Sequence, residues 1–298
     1  MSEAVAATLD RNRGGKVSRR HWLVDLAFRA RRNRVGMVGL VIVVLLMLAA
    51  ILAPVISPYD PNATIVRRLS PPSGQVWLGA DEFGRDVLSR LLFGARVSFE
   101  VGFISVSIAL LFGTAAGLAA GYFGKWVDNV IMRIADMMFA IPSIVLAIAI
   151  TAVLAPSLIN AMIAIGIVYT PAFARIVRGP VLSVKENQYV DAARSLGAGH
   201  LRIILRHILP NITAPLIVQT TFSLSTAILM ESTLSFLGLG IQPPDPSWGS
   251  MLNSGRQYME LAWWLAIFPG FAIMLAVIGF NLLGDGLRDV LDPKMRVG

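Results

Sequence analysis

Cysteine is absent from this 298-residue chain. That excludes disulfides, a thiolate nucleophile and any Cys-ligated metal. Histidine is scarce: His21, His200 and His207 are too scattered for a metal site, and each reads as a satisfied or solvated side chain. Charge is scarce as well. Charged residues make up 15% of the chain, against about 25% in soluble domains. No Ser/His/Asp set and no pair of carboxylates stands out, so no catalytic constellation is visible.

What is there is apolar. Hydrophobic residues are 55% of the chain and gather in long continuous runs. A β-barrel would instead show alternating segments of about 10 residues. In lipid every backbone polar group must be satisfied within its own segment, so the runs predict an all-α membrane protein. About six transmembrane helices are predicted, near 35–56, 98–123, 129–154, 158–176, 212–238 and 261–283. Each is close to the ~20 residues needed to cross. The domain plan is then a basic N-terminal arm (1–34), a first transmembrane helix (35–57), an extracytoplasmic loop (58–97) and a five-helix core (98–298). The polar segment 182–209 lies inside that core region.

Charge sets the orientation. Twenty of the 26 Lys and Arg residues fall on the side holding the arm, the polar segment and the C-terminal tail. Basic residues mark the cytoplasmic face, so both termini are expected inside. This also accounts for the net charge of +8 without nucleic acid. The outer loop carries Arg67, Arg68, Arg85, Arg90 and Arg96, with Asp60, Asp81, Glu82 and Asp86 available to pair with them. Trp263 and Trp264 open the sixth span as an interfacial aromatic belt would. The arm does not read as a signal peptide, because no small-residue cleavage pattern follows its apolar segment. Residues 21–34 suit either an amphipathic helix on the anionic leaflet or a solvated, topology-setting tail.

Three features inside the spans stand out. Gly113, Gly117 and Gly121 recur every four residues, which lets helix backbones approach closely within the bundle or against a partner subunit. Arg133 and Asp136 are spaced to pair on one helix face. Glu231 is an ionisable group at membrane depth, suited either to lining a substrate path or to bonding a neighbouring helix.

The polar segment between the fourth and fifth spans predicts helix, hinge, helix. Tyr189, Ala192, Ala193 and Leu196 share one helix face over roughly 182–196. Gly197 can take positive φ and end that helix. A second short helix is expected over 199–208, before Leu209-Pro210. Paired alanines beside Asp191 suit a helix offered to a partner's groove; an ordinary amphipathic interfacial helix is the other reading.

Here the residues acquire a resemblance. Asp191-Ala192-Ala193, three residues, Gly197, nine residues and His207-Ile208-Leu209-Pro210 resemble the EAA motif of ATP-binding cassette (ABC) importer permeases. Asp replaces the motif's usual Glu, and His207 stands where Ile is commonest. Leu78–Asp86 (LGADEFGRD), Leu234–Gly240 (LSFLGLG), Gln242-Pro243-Pro244 with Trp248-Gly249, and Gly284–Asp289 followed by VLDP are similar to one branch, the dipeptide/oligopeptide/nickel permeases. These stretches run in order from about residue 30 to 295.

The resemblance implies a methionine-importer-like permease fold in a bacterial or archaeal cytoplasmic (inner) membrane, in contact with lipid. It implies a sister permease subunit, two ABC ATPase subunits and an extracytoplasmic solute-binding protein. Asp191, Ala192, Ala193, Gly197, His207, Leu209 and Pro210 become the expected ATPase-coupling residues. This chain would bind no cofactor; ATP and Mg would sit on the ATPases. The sequence agrees in one respect: no GxxxxGK[ST] loop is present, since Gly15-Lys16 and Gly124-Lys125 lack the upstream Gly and the following Ser/Thr. The alternative is a self-sufficient, ion-coupled secondary transporter, which would call for repeated halves that are not evident. Members of the family carry dipeptides, oligopeptides, nickel, glutathione or sugars, and the solute is not readable from this chain.

Overall fold

The computed structural model describes residues 33–291. The basic arm, and with it the expected interfacial helix over 21–34, lies almost wholly outside them. Five helices are long and apolar enough to cross a membrane, six if one bent pair counts as a single span. They are α1 (Arg34–Ile56), α2 (Val87–Phe123), the pair α3 (Lys125–Phe139) and α4 (Ser143–Leu154), α5 (Leu158–Val184), α8 (Thr213–Phe236) and α10 (Trp264–Leu291). The polar segment forms α6 (Gln188–Ser195) and α7 (His200–Ile203), and a short helix α9 (Trp248–Gln257) lies in the last outer loop.

The core lies where α2, α5, α8 and α10 meet. Phe99 of α2 is its aromatic centre, with its ring 5.9 Å from Phe280 and 6.3 Å from Trp248. α1 packs chiefly on α10 through glycines. A Cβ at Gly36 would lie 2.8 Å from the Gly286 Cα, so only Gly allows that crossing. The outward side of α1 is bare aliphatic surface, with Leu45 61% exposed, as lipid contact requires.

The tightest pairing joins α2 to α5, and it is the glycine stripe that makes it. A Cβ at Gly117 would lie 2.5 Å from the Ala174 carbonyl oxygen and 2.7 Å from the Val177 Cβ. One at Gly121 would lie 2.7 Å from the Val181 Cβ. The stripe is therefore an internal seam of this chain, and the helices approach until backbone meets side chain.

Several predicted boundaries move. α2 starts at Val87, not near 98. Polar residues at 87–97 lower the hydropathy there, yet Asp86 accepts from the Ser89 N–H (2.8 Å) and Oγ (2.7 Å) and caps the helix eleven residues earlier. At 37 residues α2 is roughly 55 Å long, well beyond a ~30 Å hydrocarbon core. The third span is not continuous: α3 and α4 meet at 93° around Ala140–Pro142. Pro142 cannot continue a helix from the residues before it. α5 runs past 176 to Val184, and the loop at 241–260 contains α9, whose start is capped by Ser247 and Ser250 in a reciprocal box.

The outer loop is pinned to the bundle by the residues around Leu78–Asp86. Asp81 accepts from the Phe83 N–H and Arg85 N–H, both at 2.9 Å, and pairs with Arg85 at 2.6 Å and Arg90 at 3.4 Å. Of the acids expected to pair with the loop arginines, Asp81 and Glu82 do so, whereas Asp86 is spent on capping α2. Trp264 is buried rather than interfacial, donating its indole N–H to the Ala80 carbonyl at 3.2 Å, while Trp263 stays half exposed. Gly79, at φ +83°, faces the Trp264 indole, where a Cβ would sit 2.6 Å from Nε1.

Candidate functional site

At the end of the bundle opposite that loop, residues 188–211 form a polar segment that reaches back into the core through a few buried side chains. α6 does not begin at 182: a turn over Lys185–Asn187 separates it from α5. Its C-terminus closes as the glycine requires. The Gly197 N–H bonds the Arg194 carbonyl (2.9 Å) and the Ala198 N–H bonds the Ala193 carbonyl (3.0 Å), with Gly197 at φ +81°. This six-to-one and five-to-two pairing is a Schellman cap. Nothing approaches a Cβ built at Gly197 or Gly199, so the hinge is open on both sides.

The second half winds unusually. α7 passes into one turn of π-helix at Ile204–Ile208 and then a 3₁₀ turn at Leu209–Asn211. Pro210 supplies no N–H and its ring excludes the carbonyl four residues back, so the ladder shifts by one, with the Leu209 N–H reaching the Ile204 carbonyl. Asn211 Nδ2 satisfies the His207 carbonyl at 2.6 Å. The His207 ring lies 6.4 Å from that of Tyr189, so the two helices touch across the hinge.

Burial divides this segment sharply. Val190, Ile203 and Ile208 are fully buried and root it in the bundle. The predicted face of Tyr189, Ala192 and Leu196 instead points outward, with Leu196 88% exposed; Leu201 and Leu205 extend the same apolar surface. Asp191 is exposed and paired with Arg194 at 3.0 Å. Leu196, Leu201 and Leu205 thus leave an apolar surface around the Asp191–Arg194 pair that this chain does not itself cover.

One contact had no signal in the sequence. The Tyr122 hydroxyl, at the end of α2, lies 2.9 Å from His200 Nδ1, and the Phe123 ring packs edge-on to the same imidazole at 5.9 Å. Lys185 Nζ donates to the Gly121 carbonyl at 2.9 Å. α7 is thus tied to the α2–α5 seam, and α6 is anchored separately through Val190. Residues 78 apart carry no local pattern that could have linked them.

Of the residues singled out within spans, Glu231 is 1% exposed and accepts from Ser98 Oγ of α2 (2.9 Å) and Ser235 Oγ (2.7 Å). It bonds a neighbouring helix. Asp136 pairs not with Arg133 on its own helix but with Arg175 of α5 at 2.5 Å, while Asp128 chelates Arg178 through both oxygens. α3 packs against α5, and that packing brings these opposite charges together. Among the described residues no group of three or more His, Cys, Asp or Glu is placed to hold a metal.

Long apolar helices around a small-residue seam, with a hinged polar segment at one end and a clamped loop at the other, define a multi-pass membrane protein. Comparison with known proteins makes this specific. Residues 113–297 match the family described as binding-protein-dependent transport system inner membrane component, and residues 22–72 match the N-terminal TM domain of oligopeptide transport permease C. The chain belongs to this family of ABC importer permease subunits. It is 52% identical over 267 residues to the dipeptide transport system permease protein DppC of Alkalihalophilus pseudofirmus, covering 89% of this chain and 88% of that one. It is 49% identical to the di/tripeptide transport system permease protein DppC of Pseudomonas aeruginosa (89% of each chain). An inward-facing form of the MetNI methionine ABC transporter superposes with a TM-score of 0.55 at 19% identity, covering 68% of this chain and 96% of that one. The methionine-importer-like fold follows from that superposition.

Proposed function

We propose that this chain forms half of the translocation pathway of an ATP-driven peptide importer and is moved by ATPase subunits gripping residues 188–210. The observation that carries this is the open hinge at Gly197, with an exposed Asp191 and a bare Leu196–Leu201–Leu205 surface beyond the membrane spans. Relatives named for dipeptide and di/tripeptide transport support the solute class. The full assembly is one sister permease, two ABC ATPases that hold ATP and Mg, and a solute-binding protein on the side of the Leu78–Asp86 loop, with both termini of this chain inside.

ATP closes the ATPase pair only if it favours one state of the assembly over the other, and a docked element passes that difference on. Asp191 supplies a directional charge contact to the ATPase, and Ala192 keeps that surface shallow enough to enter a groove. Ala193, Gly197, Leu209 and Pro210 fix its angle through the Schellman cap and the proline-shifted turn. His207 holds Tyr189 across the hinge.

The test is uptake by the purified complex in liposomes together with co-purification. The ATPase is expected to come down with the tagged wild-type chain. Asp191→Arg, or Gly197→Val, which places a β-branched residue at positive φ at a cost of roughly 1–2 kcal/mol, is expected to abolish ATP-driven dipeptide uptake while the chain still inserts. Normal uptake by both variants would refute the coupling role.

A further inference from the structure

One face of α8 is only partly covered by the rest of this chain and is not apolar. Gln219, Thr226 and Thr233 recur every seven residues, and Thr226 is exposed while the other two are partly so. Seven residues advance a straight α-helix to within about 20° of two full turns, so the three side chains form one stripe. Between them stand Phe222 and Leu229. The opposite face of α8 is spent on the core, including Glu231.

Neither lipid nor a packed helix suits this face. A side-chain amide turned to hydrocarbon leaves hydrogen-bonding groups unpaired at a cost of several kcal/mol. Close helix pairing in membranes uses small residues, and Phe222 and Leu229 are large. A second observation points the same way. The break at Ala140–Pro142 adjoins Val168–Ala172, the middle of α5, which places irregular backbone near the middle of the bundle. Non-helical backbone at that depth is tolerated only where protein buries it or water reaches it. Water has room: a cavity of about 370 Å³ lies against the break, bounded by Tyr169, Gln219 and Thr226. A second cavity of about 430 Å³ continues past Gln219 and Phe222 towards Arg288. The exposed Arg175–Asp136 pair lies beside the bend, with the Arg175 guanidinium 4.4 Å from the Phe139 ring centre. An ion pair at that depth suits a water-filled cavity rather than hydrocarbon.

We infer that the Gln219–Thr226–Thr233 face of α8, with Tyr169 and the broken helix, is this chain's solute-contacting wall and recognises the amide groups of a peptide main chain. The inference rests on the peptide-importer reading above and adds where the solute touches. Each peptide group offers one N–H and one carbonyl, the same pair that a Gln side chain carries. Gln219 gives one N–H to Ser223 Oγ at 3.1 Å and retains a second N–H and its carbonyl oxygen. Thr226 and Thr233 donate back to the Ser223 carbonyl (3.1 Å) and the Leu229 carbonyl (2.8 Å), which leaves oxygen lone pairs on the outer side for solute N–H groups. The stripe holds no charge, so it accepts main chains without sorting side chains by sign.

The chain has no native cysteine, so single cysteines report cleanly. Thr226→Cys and Gln219→Cys, each in the full complex in vesicles, are treated with a charged, membrane-impermeant thiol reagent; Leu45→Cys on the lipid face and Lys125→Cys, exposed just after α2 and outside the docking segment, are the references. A thiol reacts as thiolate, which water supports and hydrocarbon suppresses. The expected result is labelling of both α8 cysteines at a rate nearer the Lys125→Cys reference, slowed about tenfold by dipeptide, the ratio expected when the site is about nine-tenths occupied. A Thr226→Cys complex that still transports but labels as slowly as Leu45→Cys overturns the inference. So does labelling that dipeptide leaves unchanged. Wild-type complex that takes up no dipeptide with ATP overturns the importer reading itself, and this inference with it.

Discussion

Glu231 shows what a single buried side chain does in this chain. Its carboxylate joins α2 to α8 through Ser98 and reaches Ser235 one turn on. Removing it leaves two buried hydroxyls without their partner, each costing about 1–3 kcal/mol. Glu231→Gln keeps polar atoms at the site, whereas Glu231→Leu keeps none. Thermal unfolding of the purified complex is expected to show a small loss for Gln and a large one for Leu. Equal, large losses of uptake in both variants at unchanged unfolding temperature would instead place the carboxylate on the solute path. The sequence announced that an acid lay at membrane depth, but its partner is 133 residues away and cannot be read locally.

At the scale of elements, residues 188–211 combine a buried root with an exposed face. α7 is held to α2 by the Tyr122–His200 contact and its edge-on Phe123, and α6, rooted by Val190, turns Ala192 and Leu196 outward before the Gly197 hinge. Tyr122→Phe removes one hydrogen bond, worth about 0.5–1.5 kcal/mol, at an exposed site. His200→Ala also removes the ring packing. Both are expected to lower the number of dipeptides moved per ATP hydrolysed, His200→Ala more, while ATPase activity of the complex persists. A fall in ATPase and uptake in equal proportion would mean that docking, not transmission, had been damaged. The hinge itself was legible, since Gly197 after a helical run with Pro210 beyond is a local pattern. The anchor was not, because Tyr122-Phe123 reads only as the end of a span.

For the whole molecule, the α2–α5 seam, the α1–α10 crossing and the clamped outer loop make one packed transmembrane body. Alone in liposomes under a proton or sodium gradient the chain is expected to move no dipeptide. Its assembled complex is expected to stop when Mg is chelated, although no described residues of this chain are grouped to hold a metal. Gradient-driven uptake by the isolated chain would restore the secondary-transporter alternative. The inner-membrane setting and multi-pass architecture follow from the family and from five apolar helices, or six with the bent pair.

The sequence by itself determined the class of molecule, the approximate number of crossings, the glycine stripe that brings two helices together and the glycine that ends α6. Each depends on composition, a short period or a single residue's backbone freedom, all of which are local. Only the tertiary structure decided that α2 starts eleven residues early, that the third span breaks by 93°, that Asp136 finds Arg175 and that Tyr122 meets His200. Hydropathy averages over a window and does not see a bend inside it. A hydrogen bond between distant residues exists only after helices have packed, and it is that packing which turns one side of α8 to the core and leaves the other open.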